Sequence, residues 1–196
     1  MSGRWRAART ASVLLLACLL PAVAAAQPEP SHLWLTVGVA FATMHGDCQT
    51  CEEETPYRHH TSILSNVGYR VNPRMDVGAE VAWMPVDAER GRINATHIDA
   101  VAQFRPWSSQ GFFIKGGAGM AFVRNWVDAI GPSSINQKAL SVVIGGGWAF
   151  RRERRVGLQL FAAQHVAALG DLQTPDAAVP DVVGNFWSIG AAIVIR

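Results

Sequence analysis

The stretch LWLTVGVAFA, residues 33–42, decides the fold. Its large apolar residues Leu33, Leu35, Val37, Val39 and Phe41 fall on every second position, which is the side-chain period of a β-strand and not of a helix face. The intervening Thr36, Gly38, Ala40 and Ala42 are small or mildly polar. Bulk on one face and smallness on the other suits a sheet closed into a narrow barrel, whose interior has room only for packed side chains.

The same division recurs down the chain. Ile63, Val67, Tyr69 and Val71 oppose Ser62, Asn66, Gly68 and Arg70, and Met75, Val77, Ala79, Val81 and Trp83 oppose Asp76, Gly78 and Glu80. A fourth strand sets Ile98, Ala100, Ala102 and Phe104 against His97, Asp99, Gln103 and Arg105. The fifth sets Phe112, Ile114, Ala118, Met120 and Phe122 against Phe113, Lys115, Gly117, Gly119 and Ala121. The sixth sets Leu140, Val142, Ile144, Trp148 and Phe150 against Ser141, Val143, Gly145, Gly147 and Ala149. In the seventh, Val156, Leu158, Leu160 and Ala162 face away from Arg155, Gly157, Gln159 and His165, and mid-strand Phe161 points inward by parity. The last sets Trp187, Ile189, Ala191, Ile193 and Ile195 against Phe186, Ser188, Gly190, Ala192 and Val194.

The segment ahead of these strands reads as an export signal over residues 1–26. Arg4, Arg6 and Arg9 precede an apolar run, Ala11 to Leu20, too short to span a bilayer as a helix, and Ala24-Ala25-Ala26 is a small-residue cleavage site. Leu15-Leu16-Ala17-Cys18 has the look of a lipidation box, but Leu19 and Leu20 prolong the apolar run past it. Residues 27–196 then form one barrel domain. Without the three leader arginines, 17 basic residues fall to 14 against 15 acidic ones, a net charge of −1, which argues against nucleic acid as a partner. Charged residues make up 16% of the chain where a soluble domain carries about 25%, so part of the surface does without charge.

Connections at residues 72–74, 106–110 and 151–154 are tight, and those at roughly 44–60, 85–94, 125–137 and 167–184 are longer. Short links on one side and long on the other suit an up-and-down outer-membrane barrel with periplasmic turns and external loops. The aromatic residues supply a separate check, since rings collect where hydrocarbon meets headgroups. Tyr69, Phe104, Trp107, Phe112, Trp148 and Phe150 fall near the periplasmic ends of their strands, and Phe41, Trp83, Phe122, Trp126 and Trp187 near the external ends.

With its leader, eight alternating strands, alternating links and amphipathic last strand, the chain resembles the small eight-stranded outer-membrane barrels of the OmpA and OmpX type, the outer membrane protein beta-barrel family, over residues 31–196. The resemblance implies an all-β, eight-stranded antiparallel up-and-down transmembrane barrel in the bacterial outer membrane. It departs from the family in ending Ile195-Arg196, where such barrels carry an aromatic residue. The rival architecture is a soluble, lipocalin-like ligand carrier, which would turn its large apolar residues inward around a cavity.

Parity sends Arg70, Asp76, Glu80, Asp99, Arg105, Lys115 and Arg155 into the lumen as a polar network, with Asp99 and Lys115 the expected pair, because unpartnered buried ions cost several kcal/mol each. A filled eight-stranded interior leaves no diffusion pore.

Cys48 and Cys51, beside Asp47 and Glu52 to Glu54, suit a loop disulfide in an oxidising compartment; with His45, His59 and His60 they also have the composition of a zinc site, though no second cysteine pair accompanies them. Gln164-His165 faintly resembles the histidine of a lipid A deacylase, but that family's serine falls where this chain has Ala167. Arg151, Arg152, Arg154 and Arg155 suit headgroup phosphates. The expectation is a monomeric, non-enzymatic envelope or surface-interaction protein. It has no cofactor, and its partners are outer-membrane lipid, lipopolysaccharide and an unidentified loop ligand.

Overall fold

The computed structural model describes residues 32–47, 58–88, 91–107, 111–127, 134–150, 155–173 and 178–196. Eight strands follow in order: β1 (Leu33–Asp47), β2 (Arg58–Asn72), β3 (Met75–Ala88), β4 (Gly91–Phe104), β5 (Phe112–Val127), β6 (Ser134–Phe150), β7 (Val156–Gln173) and β8 (Ala178–Ile195). Each pairs antiparallel with its neighbours in sequence, and β8 closes on β1. No backbone edge is left open, which is what a sheet needs where water cannot satisfy its hydrogen bonds.

The register fixes the shape. From Thr36 it runs through Asn66, Glu80, Asp99, Gly119, Ser141, Ala167 and Gly184, and returns to β1 at Gly46, ten residues on. Eight strands with that stagger tilt by about 40°. Phe112 and Phe122, ten residues apart on β5, are then separated by about 25 Å along the axis, the height of an outer-membrane apolar band.

Orientation separates the two architectures. Leu35, Val142 and Ile193 are exposed, as are Val39, Phe41, Leu140, Ile144 and Ile189, while Thr36, Ala40, Val143 and Ala192 are buried. A soluble barrel has the opposite arrangement, so the solvent of this outer face is lipid hydrocarbon. Tyr69, Phe104, Trp107, Trp148 and Phe150 lie exposed towards one end, and Phe41, Trp83 and Trp187 towards the other. Phe112 and Phe122 are half-buried. Phe112 packs between Trp107 and Trp148, with ring centroids 6.0 and 6.5 Å away. The side chain of Trp126 and both Cys48 and Cys51 lie outside the described residues, as does the 1–26 segment.

The expected long external links are shorter than their sequence implied. β1 runs to Asp47, β3 and β4 extend to Ala88 and Gly91, and β7 reaches Gln173, so only 48–57, 89–90, 128–133 and 174–177 remain between strands at that end. Strands of 14 to 18 residues exceed the ~9–11 that a bilayer needs, and the excess forms a rim beyond the Phe122 level. Pro85 sits within β3, where its missing N–H is harmless because the ladder to β2 ends at Ile63 and Trp83. Gly170, at a register shift between β7 and β8, has φ +67°, a left-handed conformation that glycine adopts without strain.

Candidate functional site

Chemistry-bearing side chains concentrate in the lumen, in three tiers along the axis. Nearest the short-turn end, Asp76 accepts hydrogen bonds from the Arg105 guanidinium at 2.5 Å and from Arg70 Nε at 3.3 Å. Arg105 follows the last residue of β4, is 2% exposed, and is anchored by its backbone N–H to the Arg74 carbonyl.

In the middle tier Lys115 Nζ donates to Glu80 Oε2 at 2.5 Å, and the ammonium lies 6.0 Å from the centre of the Phe161 ring. Leu64, Phe113, Phe161, Ala40 and Ala192 pack together around the axis and exclude water from this level. Two ions so deeply buried hold each other by Coulomb attraction that roughly balances the cost of dehydrating them.

The third tier is a cluster. Asp99 accepts a hydrogen bond from the Ser141 hydroxyl on one carboxylate oxygen, and its other oxygen lies 3.3 Å from His165 Nδ1. His165 Nε2 faces Glu80 Oε1 at 3.6 Å. The His97 ring stands 4.9 Å from that of His165 and 4.8 Å from the edge of Phe186. Above this tier a lid of Ala42, Met84, Ala95, Ala121, Ala139, Ala167 and Phe186 closes the lumen towards the long-strand end. Inner-face glycine is what makes room for the cluster. A Cβ on Gly119 would stand 2.0 Å from the Ile98 carbonyl oxygen and 2.7 Å from Asp99 Oδ1.

Six of the seven charged residues assigned to the lumen by parity are there. Arg155 is the exception. It lies at the barrel end, exposed, with its carbonyl accepting from the Arg196 N–H. Alternation continues its inward parity, but β7 begins only at Val156, so its side chain has left the cylinder. The expected Asp99–Lys115 pair is replaced by Glu80–Lys115 and Asp99–His165. Adjacent strands put Asp99 beside Gly119 and Lys115 beside Gln103, four residues lower, and the tilt brings Glu80 of β3 across the lumen to Lys115 instead.

The contribution of His165 and His97 to one cluster was missed from the sequence, although both carried inward parity. They are 68 positions apart on β4 and β7, and only closure of the cylinder joins them. His45, His59 and His60 lie on the rim strands, with His59 opposite Thr43 and His60 opposite Ala42.

Among the described residues, Ser141 and His165 are not arranged as a nucleophile and its base. The Ser141 hydroxyl donates its hydrogen bond to Asp99, so the carboxylate and not an imidazole is its partner, and His165 is buried in the lumen. A furrow of about 680 Å³ lies on the outer face over β6, β7, β8 and β1 with an almost wholly apolar lining that includes Gly146, Ala162 and Ala191.

The eight-stranded cylinder has known counterparts in fold. Neisserial surface protein A superposes with a TM-score of 0.56 at 17% identity, covering 86% of this chain and 99% of its own. Ail, the attachment invasion locus protein of Yersinia pestis, solved in complex with the heparin analogue sucrose octasulfate, does so with a TM-score of 0.57 at 14% identity, covering 84% and 99%. No curated protein matches the chain. The outer membrane protein beta-barrel domain matches residues 12–192. The chain belongs to the outer membrane protein beta-barrel domain family, a protein of the bacterial outer membrane.

Proposed function

We propose that this protein is a non-enzymatic, monomeric envelope barrel that conducts nothing through its centre and acts through its lipid-facing wall and its external rim. The observation that carries this reading is the filled lumen: Arg105 with Asp76, Lys115 with Glu80 and Asp99 with His165, stacked with Phe113, Phe161 and Phe186, all 5% exposed or less. An eight-stranded interior is only wide enough for side chains, and here they occupy it.

The partner of the wall is lipid, including lipopolysaccharide. Arg124 and Lys138 are exposed on the outer face just beyond the Phe122 ring, with Asn94, Thr96 and Gln137 beside them. Cations at that height meet headgroup phosphates. The strand extensions carry the wall beyond the Phe122 level to an external rim, which suits a surface contact like those implied by the names of the two structural relatives.

Reconstitution into planar bilayers tests the central statement. The expected record is a quiet baseline at moderate voltage from protein that migrates faster unboiled than boiled; reproducible unit conductance steps from such protein would overturn it. Lipid A mass spectra with and without expression are expected to coincide, and a new or missing acyl chain would restore the enzyme reading.

A further inference from the structure

Among the described residues, one set of metal-ligating side chains converges: His97 and Asp99 on β4 and His165 on β7 each bring a ligand atom within 4.8 Å of the others. All three are at most 1% exposed. Both ring nitrogens of His97, both of His165 and Oδ2 of Asp99 are buried without a hydrogen-bond partner. Buried polar atoms nearly always have one. One nitrogen of each ring and Oδ2 of Asp99 lie close enough to be satisfied together by a shared cation.

The geometry is that of a prepared site. His165 Nδ1 and Asp99 Oδ2 are 3.3 Å apart, the edge length of a tetrahedron with bonds of about 2.0–2.1 Å. The remaining atoms of both ligands face other lumen side chains. Ser141 occupies the other oxygen of Asp99, and His165 Nε2 faces Glu80 Oε1, itself fixed by Lys115 through Oε2. Outer partners of this kind orient a ligating imidazole and carboxylate. Charge points the same way. Asp76 has two guanidinium partners and Glu80 an ammonium, whereas Asp99 faces the imidazole of His165 and the Ser141 hydroxyl.

We propose that His97, Asp99 and His165 bind a divalent first-row transition metal ion inside the lumen, with Ser141 and Glu80 as positioning residues. Two imidazoles and one carboxylate suit Zn2+ and its neighbours better than Ca2+ or Mg2+, which prefer all-oxygen sites. The lid of Met84, Phe186 and alanines covers the cluster, so the ion enters as the barrel closes. It requires neither a pore nor a reaction, and so goes beyond the function proposed above.

The test is refolding of the full chain into detergent with Zn2+ or Co2+, gel filtration to remove free ion, and elemental analysis. A variant lacking the rim ligands (C48S, C51S, H45Q, H59Q, H60Q) is treated in parallel. The expected result is one ion per barrel in both proteins, with visible Co2+ bands free of thiolate charge transfer. H97Q and H165Q, checked for folding by heat-modifiable migration, are expected to lose the ion, and S141A to bind about 10-fold more weakly. Absence of bound ion from the rim-ligand variant overturns the proposal whether or not the histidine variants fold, as does metal retained by folded H97Q or H165Q.

Discussion

Replacing Lys115 by Met leaves the Glu80 carboxyl group buried and without its ammonium, and the size of the loss follows from the geometry. At 2.5 Å the pair attracts by about 6–7 kcal/mol in an effective dielectric near 20, against dehydration of several kcal/mol for each ion. The pair as a whole therefore contributes little net stability, but removal of one member discards the attraction and keeps one penalty. The expected cost of K115M is about 3–5 kcal/mol, and of Glu80→Leu about the same. The double variant E80L/K115M, with both charges gone and similar volume in place, is expected within about 2 kcal/mol of the parent. Equilibrium unfolding in guanidinium, followed by tryptophan fluorescence in detergent micelles or lipid vesicles and checked by migration of unboiled samples, gives all four corners of the cycle. Strict additivity, with the double variant as unstable as the sum of the singles, refutes the reasoning; so does a K115M cost below 1 kcal/mol.

Three further outcomes follow from placement. Arg155→Ala, at the exposed barrel end, is expected to cost less than about 1 kcal/mol, whereas Arg105→Ala, which leaves Asp76 with only the longer Arg70 contact, is expected to cost about 3–5 kcal/mol; the same unfolding assay ranks them, and equal losses would put Arg155 in the lumen after all. Phe161→Ala removes a ring that is 4% exposed from the packed middle tier, and about 3–5 kcal/mol should go with it. Ile144, 67% exposed between Trp148 and Lys138 on β6, faces the middle of the bilayer, so Ile144→Arg is expected to destabilise the protein in vesicles by about 2–4 kcal/mol, where a water-facing position would accept arginine with no such loss.

The strands and their facing were legible because lipid and lumen make opposite demands on alternate residues. Leu140, Val142 and Ile144 meet hydrocarbon, Ser141 and Val143 meet the packed interior, and no other environment imposes that contrast at a period of two. Where lipid ends, the contrast ends. Beyond Phe122 both faces of the sheet approach water, and polar or strand-breaking residues such as Asn94, Pro85 and Gln137 become compatible with strand. Residues 85–88 and 91–94 read as loop from sequence yet continue β3 and β4 for this reason.

Partnership inside the lumen was illegible for a different reason. Alternation says which side of the wall a residue is on, but height along the axis depends on stagger, which only the closed register reveals. Asp99 and Lys115 lie on neighbouring strands, which is the ground for expecting them to pair; a ten-residue shear lowers Lys115 relative to Asp99 and carries it to Glu80. The displaced carboxylate then falls level with two histidines from β4 and β7. The same stagger that overturns the expected pair thus assembles the His97, Asp99 and His165 cluster, and altering it by inserting two residues into one strand should disperse both the Lys115–Glu80 contact and the cluster while preserving every inward and outward assignment. A barrel so altered that still inserts, still resists unboiled denaturation, yet unfolds at lower guanidinium and retains no Zn2+, is the expected outcome; unchanged stability would mean that the lumen chemistry contributes nothing that simple filling does not.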